Sequence, residues 1–306
     1  MGVLEAIGNT PLVELRNLRG KPKGVRILAK LEGNNPGGSV KDRPARRMLE
    51  AAEAAGDLTS QKTIIEATSG NTGIALAMIG AAKSYRVVLC MSAGVSKERR
   101  AVLEALGAEV VLTNAQEGTD GAIRRAREMV ERHPEQYYLP DQYSNPNNTL
   151  AHYETTGPEI FAQAQGDIDV FVAGMGTSGT LMGIGRFLKE RLPRVSVVGI
   201  EPPMGHAIQG LKNMREAIRP RIYDPSQLDE QLTVVDQDAF HMTRLLASCE
   251  GLFVGMSSGA AVAGALQVAR RMTRGTIVAL LPDRGDRYLS TGVFAQPASR
   301  PQSRVA

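Results

Sequence analysis

The chain has 306 residues, 42% of them apolar and 22% charged, with a formal net charge of +4. That length predicts about two domains, the apolar content excludes disorder, and so small a charge argues against a nucleic-acid partner. Two cysteines, Cys90 and Cys249, exclude a disulfide framework or a thiolate zinc site and read as buried, inert thiols.

Apolar, β-rich runs alternate with amphipathic helical patterns along the sequence. Residues 26–31 read as a strand and 44–55 as a helix stopped by Gly56. Strands at 63–66, 86–91 and 109–112 interleave with helices at 73–83, 97–106 and 118–132. The last of these is rich in i,i+4 charge pairs. Residues 141–148 (DQYSNPNN) are polar and turn-rich, a candidate crossing between domains. A strand at 170–173, a helix at 180–191 and a strand at 196–200 follow. Residues 201–221 carry prolines, Gly205, Gly210 and a basic set, Lys212, Arg215, Arg219 and Arg221, and read as a mobile surface loop. A helix near 237–249, a strand at 252–254, a helix at 260–271 and a strand at 276–281 complete the pattern. Residues 297–306 read as a flexible tail. Strand–helix alternation at this spacing predicts parallel sheets with right-handed crossovers.

The longest uncharged run, 251–269, holds four glycines, two serines and a glutamine, and reads as strand, turn and helix rather than a membrane span. Residues 1–10 lack the basic and apolar regions of a leader peptide. The expectation is a cytoplasmic chain without membrane association.

One unit occurs three times: an apolar strand, a Gly/Ser/Thr turn, then an apolar helix. The turns are Thr68-Ser69-Gly70-Asn71-Thr72-Gly73, Gly174-Met175-Gly176-Thr177-Ser178-Gly179-Thr180 and Gly255-Met256-Ser257-Ser258-Gly259. Each places backbone N–H groups and hydroxyls at a helix N-terminus, where anions bind. A single such turn can be ordinary capping. Three suggest a ligand with several acceptor groups, such as a phosphate and a carboxylate.

The second turn also matches G-x-G-x-x-G, with Glu201 ending the next strand where a ribose-binding acid would sit, so a dinucleotide reading stays open. Its hydroxyls suit a terminal phosphate better than a pyrophosphate. The third turn matches the G-x-S-x-G nucleophile elbow. That fold needs its histidine downstream of the serine, and His133, His152, His206 and His241 all precede Ser257. Nor do these histidines show a metal-binding spacing, so no metal is expected. Lys41 lies in a Gly/Pro-rich loop (residues 34–43) leading into a helix. It is either a solvated lysine paired with Asp42 or a lysine of lowered pKa suited to a Schiff base. An aldehyde together with a phosphate describes pyridoxal 5′-phosphate.

The chain resembles the cysteine synthase (O-acetylserine sulfhydrylase) family. The likeness is carried by IGNTPL at residues 7–12, SVKDR at 39–43, EATSGNTGIALA at 66–77 and DRGDRYLSTG at 283–292. The last of these, with AHY and TTGPEI within 151–160, is most similar to the B-type branch. The family's usual Met-Pro is Met91-Ser92 here. The resemblance implies the fold-type II α/β architecture of pyridoxal-phosphate enzymes, two three-layer α/β domains with the cofactor in the cleft between them. Residues 40–145 would form the smaller, mobile domain, and 1–39 with 146–306 the larger one.

Carried over position by position, Lys41 holds the cofactor as a Schiff base and moves the substrate's Cα proton. Gly176, Thr177, Ser178, Gly179 and Thr180 bind the phosphate, Asn71 the 3′-oxygen, and Ser257 faces the pyridine nitrogen. Thr68, Ser69, Gly70 and Thr72 grip the substrate carboxylate, and Gln142 adds a further contact. The implied reaction forms L-cysteine through an aminoacrylate from O-acetyl-L-serine, or from O-phospho-L-serine if the basic set in 201–221 meets the phosphate. Sulfide, thiosulfate and a protein thiocarboxylate stay open as sulfur donors. A homodimer is implied, with serine acetyltransferase or a sulfur-carrier protein as further partners. An NAD-dependent oxidoreductase would leave Lys41 and Asn71 unexplained, and a non-catalytic regulatory homologue would not turn over.

Overall fold

The computed structural model describes residues 2–68, 70–94, 97–216 and 218–295. Ser69 and the expected tail at 297–306 lie outside the described residues. In chain order the strands are β1 (Leu12–Glu14), β2 (Gly24–Leu31), β3 (Thr63–Ala67), β4 (Val87–Ser92), β5 (Glu109–Thr113), β6 (Tyr137–Tyr138), β7 (Val170–Gly174), β8 (Ser196–Glu201), β9 (Glu230–Thr233) and β10 (Arg274–Leu281). The α-helices are α1 (Asp42–Ala55), α2 (Asn71–Lys83), α3 (Lys97–Ala105), α4 (Gly118–Arg132), α5 (Pro146–Ala151), α6 (Gly157–Gln163), α7 (Gly179–Arg191), α8 (Asp236–Leu245) and α9 (Met256–Ala269). No described helix is long and apolar enough to cross a membrane.

The chain divides into two compact units, Met1–Asn9 with Asn35–His152, and Thr10–Asn34 with Tyr153–Ala306. These bounds differ from the expected breaks at 39/40 and 145/146. The reason lies in the contacts of the chain near each break. The Arg46 guanidinium donates to the Leu4 carbonyl at 2.8 Å and the Gly8 N–H to Asn35 Oδ1 at 2.9 Å, so the first nine residues belong with α1. Helix α5 packs on α1, so the polar segment 141–148 lies inside the first unit rather than at a crossing.

The first unit is a parallel four-stranded sheet in the order β5-β4-β3-β6. Strand β3 is buried along its whole length, as a β-branched run covered on both faces should be. Ile64 joins Leu49 of α1, Leu76 and Ile79 of α2 and Leu89 of β4 in one core cluster. Helix α4 packs on β3 and β4 and buries Ala122, Ile123 and Ala126. Helix α1 ends as its sequence signal requires. Gly56 takes φ +78° and returns its N–H to the carbonyls of Ala52 and Glu53, a left-handed cap that glycine adopts at little cost.

The second unit is a six-stranded sheet in the order β1-β2-β10-β7-β8-β9. Only β1 is antiparallel to its neighbour. Central β10 is buried from Thr276 to Leu281, and α9, which packs on β7 and β10, is buried almost throughout. The strand expected at 252–254 is instead a single antiparallel bridge from Val254 to Arg284. The helix expected to end at 249 runs as α8 to Leu245 and closes in a π-turn at Leu246–Glu250.

Lys30, wholly buried in β2, donates to the Thr10 carbonyl (2.7 Å), Glu159 Oε2 (2.7 Å) and Gln163 Oε1 (2.9 Å). Gln163 Nε2 donates to the same Thr10 carbonyl at 2.9 Å, and Thr10 Oγ1 to Glu32 Oε1 at 2.6 Å. A buried ammonium is tolerable only with such complete pairing.

Candidate active site

In the first unit the turn after β3 delivers Thr68, Gly70, Asn71 and Thr72. Gly70 is the N-cap of α2 (φ −119°, ψ −150°), no side chain caps the helix there, and its first turn holds no acidic residue. The positive end of the helix dipole is thus left for an incoming anion. The Gly70 N–H donates to Thr68 Oγ1 at 3.2 Å. Thr72 is buried and its hydroxyl donates to Gln142 Oε1 at 2.7 Å, so two residues 70 positions apart are brought into contact.

Lys41 is half-buried and stands as the N-cap of α1 with φ −73° and ψ −15°. Its N–H donates to Ser39 Oγ at 3.3 Å. The neighbouring Asp42 carboxylate accepts the Gly37 N–H at 2.6 Å and lies so close to Gly37 that a Cβ there would collide with it. This carboxylate therefore folds the loop that presents Lys41. Lys41 and Asn71 stand at the N-termini of α1 and α2, two helices that pack on each other.

In the second unit the loop after β7 leads directly into α7. Ser178 takes φ +68° as the N-cap of α7, its side chain does not cap the helix, and it is 3% exposed. Its buried Oγ has no hydrogen-bond partner. Native folds rarely strand a buried hydroxyl. At the head of a 13-residue helix, beside the buried Thr177 and Thr180, a phosphate oxygen would satisfy it. Gly176 is required here because a Cβ on it would stand 2.5 Å from the Gly210 carbonyl oxygen. Gly210, at φ +89°, in turn lies against Ser257 Oγ. Gly210 is thus a neighbour of both Gly176 and Ser257.

Three sequence expectations are corrected. The stretch 201–221 is not a detached loop. The Lys212 N–H donates to the Met175 carbonyl (2.8 Å), the Met214 N–H to Glu201 Oε2 (3.1 Å) and Asn213 Nδ2 to the Pro202 carbonyl (2.8 Å). Glu201 therefore folds this segment instead of standing open to a ribose. The Lys212 ammonium pairs with Glu216 Oε2 at 2.5 Å, so the basic set carries less open charge than its composition suggests. Burial opposes ionisation of Glu216, but the bonds from Lys212 and the Asn213 N–H outweigh it and hold the carboxyl below its ordinary range.

Ser257 also lacks the geometry of a nucleophile elbow, a reading that the order of the histidines already excludes. Ser257 is the second residue of α9, with no positive φ. The pentad's two glycines are packing residues, Gly255 against Asp283 and Tyr288, and Gly259 against Thr243 and the Ala239 carbonyl. Asp283 accepts the Tyr288 hydroxyl at 2.5 Å, and its carbonyl accepts the Gly255 N–H at 3.2 Å. The DRGDRY segment thereby fixes the start of α9.

Sequence reasoning missed Gly210 as part of this site. Its signal was one of two glycines in a proline-bearing segment, which marks a turn but not what the turn approaches. Among the described residues no group of three or more His, Cys, Asp or Glu side chains is placed to hold a metal ion.

Comparison with known proteins gives the family. Residues 3–283 match the model of a family described as pyridoxal-phosphate dependent enzymes. The cysteine synthase B of Salmonella typhimurium is 50% identical over 297 residues, 97% of each chain. The solved structure of the cysteine synthase of Entamoeba histolytica superposes with a TM-score of 0.91 at 39% identity, covering 96% of this chain and 90% of that one. That of an O-acetylserine-dependent cystathionine β-synthase from Helicobacter pylori gives 0.90 at 38% identity, covering 96% and 98%.

Proposed function

The chain belongs to the family of pyridoxal-phosphate dependent enzymes, and from that premise we propose that it replaces the β-acetoxy group of O-acetyl-L-serine with sulfur to give L-cysteine and acetate. The supporting likeness is half-identity over nearly the whole length to a cysteine synthase B. The observation in the fold that carries the reading is the buried, unpartnered Ser178 hydroxyl at the head of α7.

The residues divide the work. By the family resemblance, Gly176, Thr177, Ser178, Gly179 and Thr180 would hold the cofactor phosphate, Asn71 would serve its ring oxygen, and Ser257 its ring nitrogen. When bound, pyridoxal phosphate supplies an aldehyde that condenses with amines and a ring that draws electron density from the carbon bearing the amine. Ser257 offers that nitrogen a neutral hydroxyl and no charge to keep it protonated. Thr68, Gly70 and Thr72 would hold the substrate carboxylate at the N-terminus of α2, with Gln142 bracing Thr72, and the family resemblance adds Ser69 to them. Orienting the carboxylate fixes the Cα–H bond for abstraction. The amine of Lys41, when free, would take the substrate's Cα proton and later return it. In net terms the C–O bond to acetate breaks, a C–S bond forms, and Lys41 ends as it began. A cytoplasmic homodimer, with serine acetyltransferase or a sulfur-carrier protein as partner, forms part of this reading and rests on the family resemblance.

The experiment is an absorbance spectrum of the cofactor-loaded protein, before and after O-acetyl-L-serine and then sulfide. A visible band that moves to longer wavelength with the ester and returns with sulfide is the expected result. A band that ignores O-acetyl-L-serine but answers O-phospho-L-serine would change the leaving group. A band that answers neither would sink the reading. Ser178→Gly tests the phosphate loop separately. It removes the hydroxyl while easing the positive φ, and it is expected to weaken cofactor binding about tenfold, read by equilibrium titration.

A further inference from the structure

Glu66 has no part in the chemistry above, yet it is 4% exposed near the end of β3. Its two oxygens accept two backbone N–H groups. Oε1 takes that of Ala67 at 2.9 Å and Oε2 that of Gln142 at 3.3 Å. The first bond is local. The second ties the strand to a residue 76 positions later. Gln142 is itself held twice more, by Thr72 Oγ1 donating to its Oε1 and by Asn148 Nδ2 donating to its carbonyl, both at 2.7 Å. A continuous path of hydrogen bonds therefore runs from the Glu66 carboxylate through the Gln142 backbone and amide to the hydroxyl of Thr72.

We propose that Glu66 is a positioning residue for the substrate carboxylate. Its carboxylate holds the Gln142 backbone where the Gln142 amide can brace Thr72, and so keeps the Thr72 hydroxyl in the position that receives the amino acid. This inference rests on the reading of that turn and of Gln142 as substrate-binding.

The proposal carries a pH dependence. Four charged or titratable groups bear on Glu66. Asp141, on the segment leading to Gln142, opposes its ionisation, and Arg127 of α4 favours it. Cys90 of β4 and Tyr138 of β6 have their own ionisation opposed by the Glu66 charge. Burial dominates and pushes the Glu66 carboxyl up to about 7, against the lowering effect of its two backbone donors. The acid form carries no charge and a proton on one oxygen, so its hold on the two N–H groups weakens as pH falls. Binding of amino acids therefore weakens below about pH 7 and tightens above it. The amine of the free amino acid adds its own pH dependence in the same direction, but that component is common to wild type and variants.

The test compares wild type with Glu66→Gln, each as the cofactor-loaded enzyme. The readouts are KM and kcat for O-acetyl-L-serine and, independently of turnover, the dissociation constant of L-serine from the cofactor's absorbance across pH 5.5–8.5. A glutamine has one acceptor oxygen for two donors, so KM and the L-serine constant are expected to rise about tenfold. The change in kcat should stay within about threefold, and the step near pH 7 should vanish. A purely structural role would lower the unfolding temperature and leave KM and the step unchanged, which overturns the proposal. If Glu66→Gln does not fold, Glu66→Asp keeps the charge but shortens its reach. It should raise KM while keeping a pH step, and an unchanged KM overturns the proposal equally. Gln142→Ala and Thr72→Val are the reference. If they raise KM and Glu66→Gln does not, only the role of Glu66 falls. If neither of them raises KM, the substrate-site reading itself falls.

Discussion

Alanine in place of Lys41 is expected to lower kcat/KM for O-acetyl-L-serine by about 10⁴-fold or more, because one amine both anchors the cofactor aldehyde and moves the Cα proton. The surrounding loop should survive. Asp42 keeps its bond from the Gly37 N–H, and the Gly38 N–H still reaches the Asn35 carbonyl at 2.7 Å. The phosphate loop, built on β7 and α7, does not depend on residue 41. The variant should therefore fold, still take up pyridoxal phosphate, and release it on dialysis, whereas wild type retains it. Lys41→Arg should be no better, since a guanidinium does not give up its proton and is a poor nucleophile. Steady-state rates with a mass measurement of bound cofactor decide the matter. Activity of Lys41→Ala within tenfold of wild type would remove Lys41 from the chemistry.

The largest effect on stability should come from Lys30. Lys30→Met deletes an ammonium that serves the Thr10 carbonyl, Glu159 and Gln163 at once. It also removes the charge that Lys30 brings within 2.7 Å of a largely buried carboxylate, 15% exposed at its side chain. Breaking a buried pair from one side costs about 3–5 kcal/mol. The loss should appear as a lower urea midpoint with an unchanged slope. The double variant Lys30→Met with Glu159→Leu should recover much of it, because neither charge is then buried alone. If Lys30→Met alone costs under about 1 kcal/mol, the network has relaxed or admitted water and the ion pair is not a fastening of the sheet.

Elements with strong periodicity were legible in the sequence. The helix at 118–132 coincides with α4, and the stop at Gly56 holds because that glycine takes a left-handed φ. What escaped was short or polar. Strands β1, β6 and β9 have three, two and four residues, too few for a period-two pattern to rise above chance. In the segment 141–148 the same residues that signal a turn also start a helix. Asn145 caps α5, accepting the Asn147 N–H, and Pro146 occupies its first turn, so local chemistry did not distinguish the two outcomes.

The site shows the same division. Gly/Ser/Thr turns at helix heads are local features, and the expectation at Gly176–Thr180 rested on them. The approach of Gly210 to that loop, the contact of Thr72 with Gln142 and the burial of Glu66 join residues far apart in sequence, and no local pattern encodes them. Glu66 opens the motif at 66–77, but its second backbone donor lies 76 residues away and only the folded chain brings it there.

The pairing of β2 with β10 bears on how the molecule is made. These neighbours run side by side over eight residues, from Gly24 beside Arg274 to Leu31 beside Leu281, with some 240 residues between them. At about 5–20 residues per second, the ribosome needs roughly 10–50 s to supply the second strand after the first. In that interval β2 has only the three-residue β1 as a partner in its sheet. The continuous stretch 35–152, by contrast, carries all four strands of its own sheet and can be complete while the rest is still being synthesised. Assembly is thus expected to be sequential during translation. A nascent chain arrested before β10 emerges should already protect the 35–152 region from protease while leaving 24–31 open to cleavage.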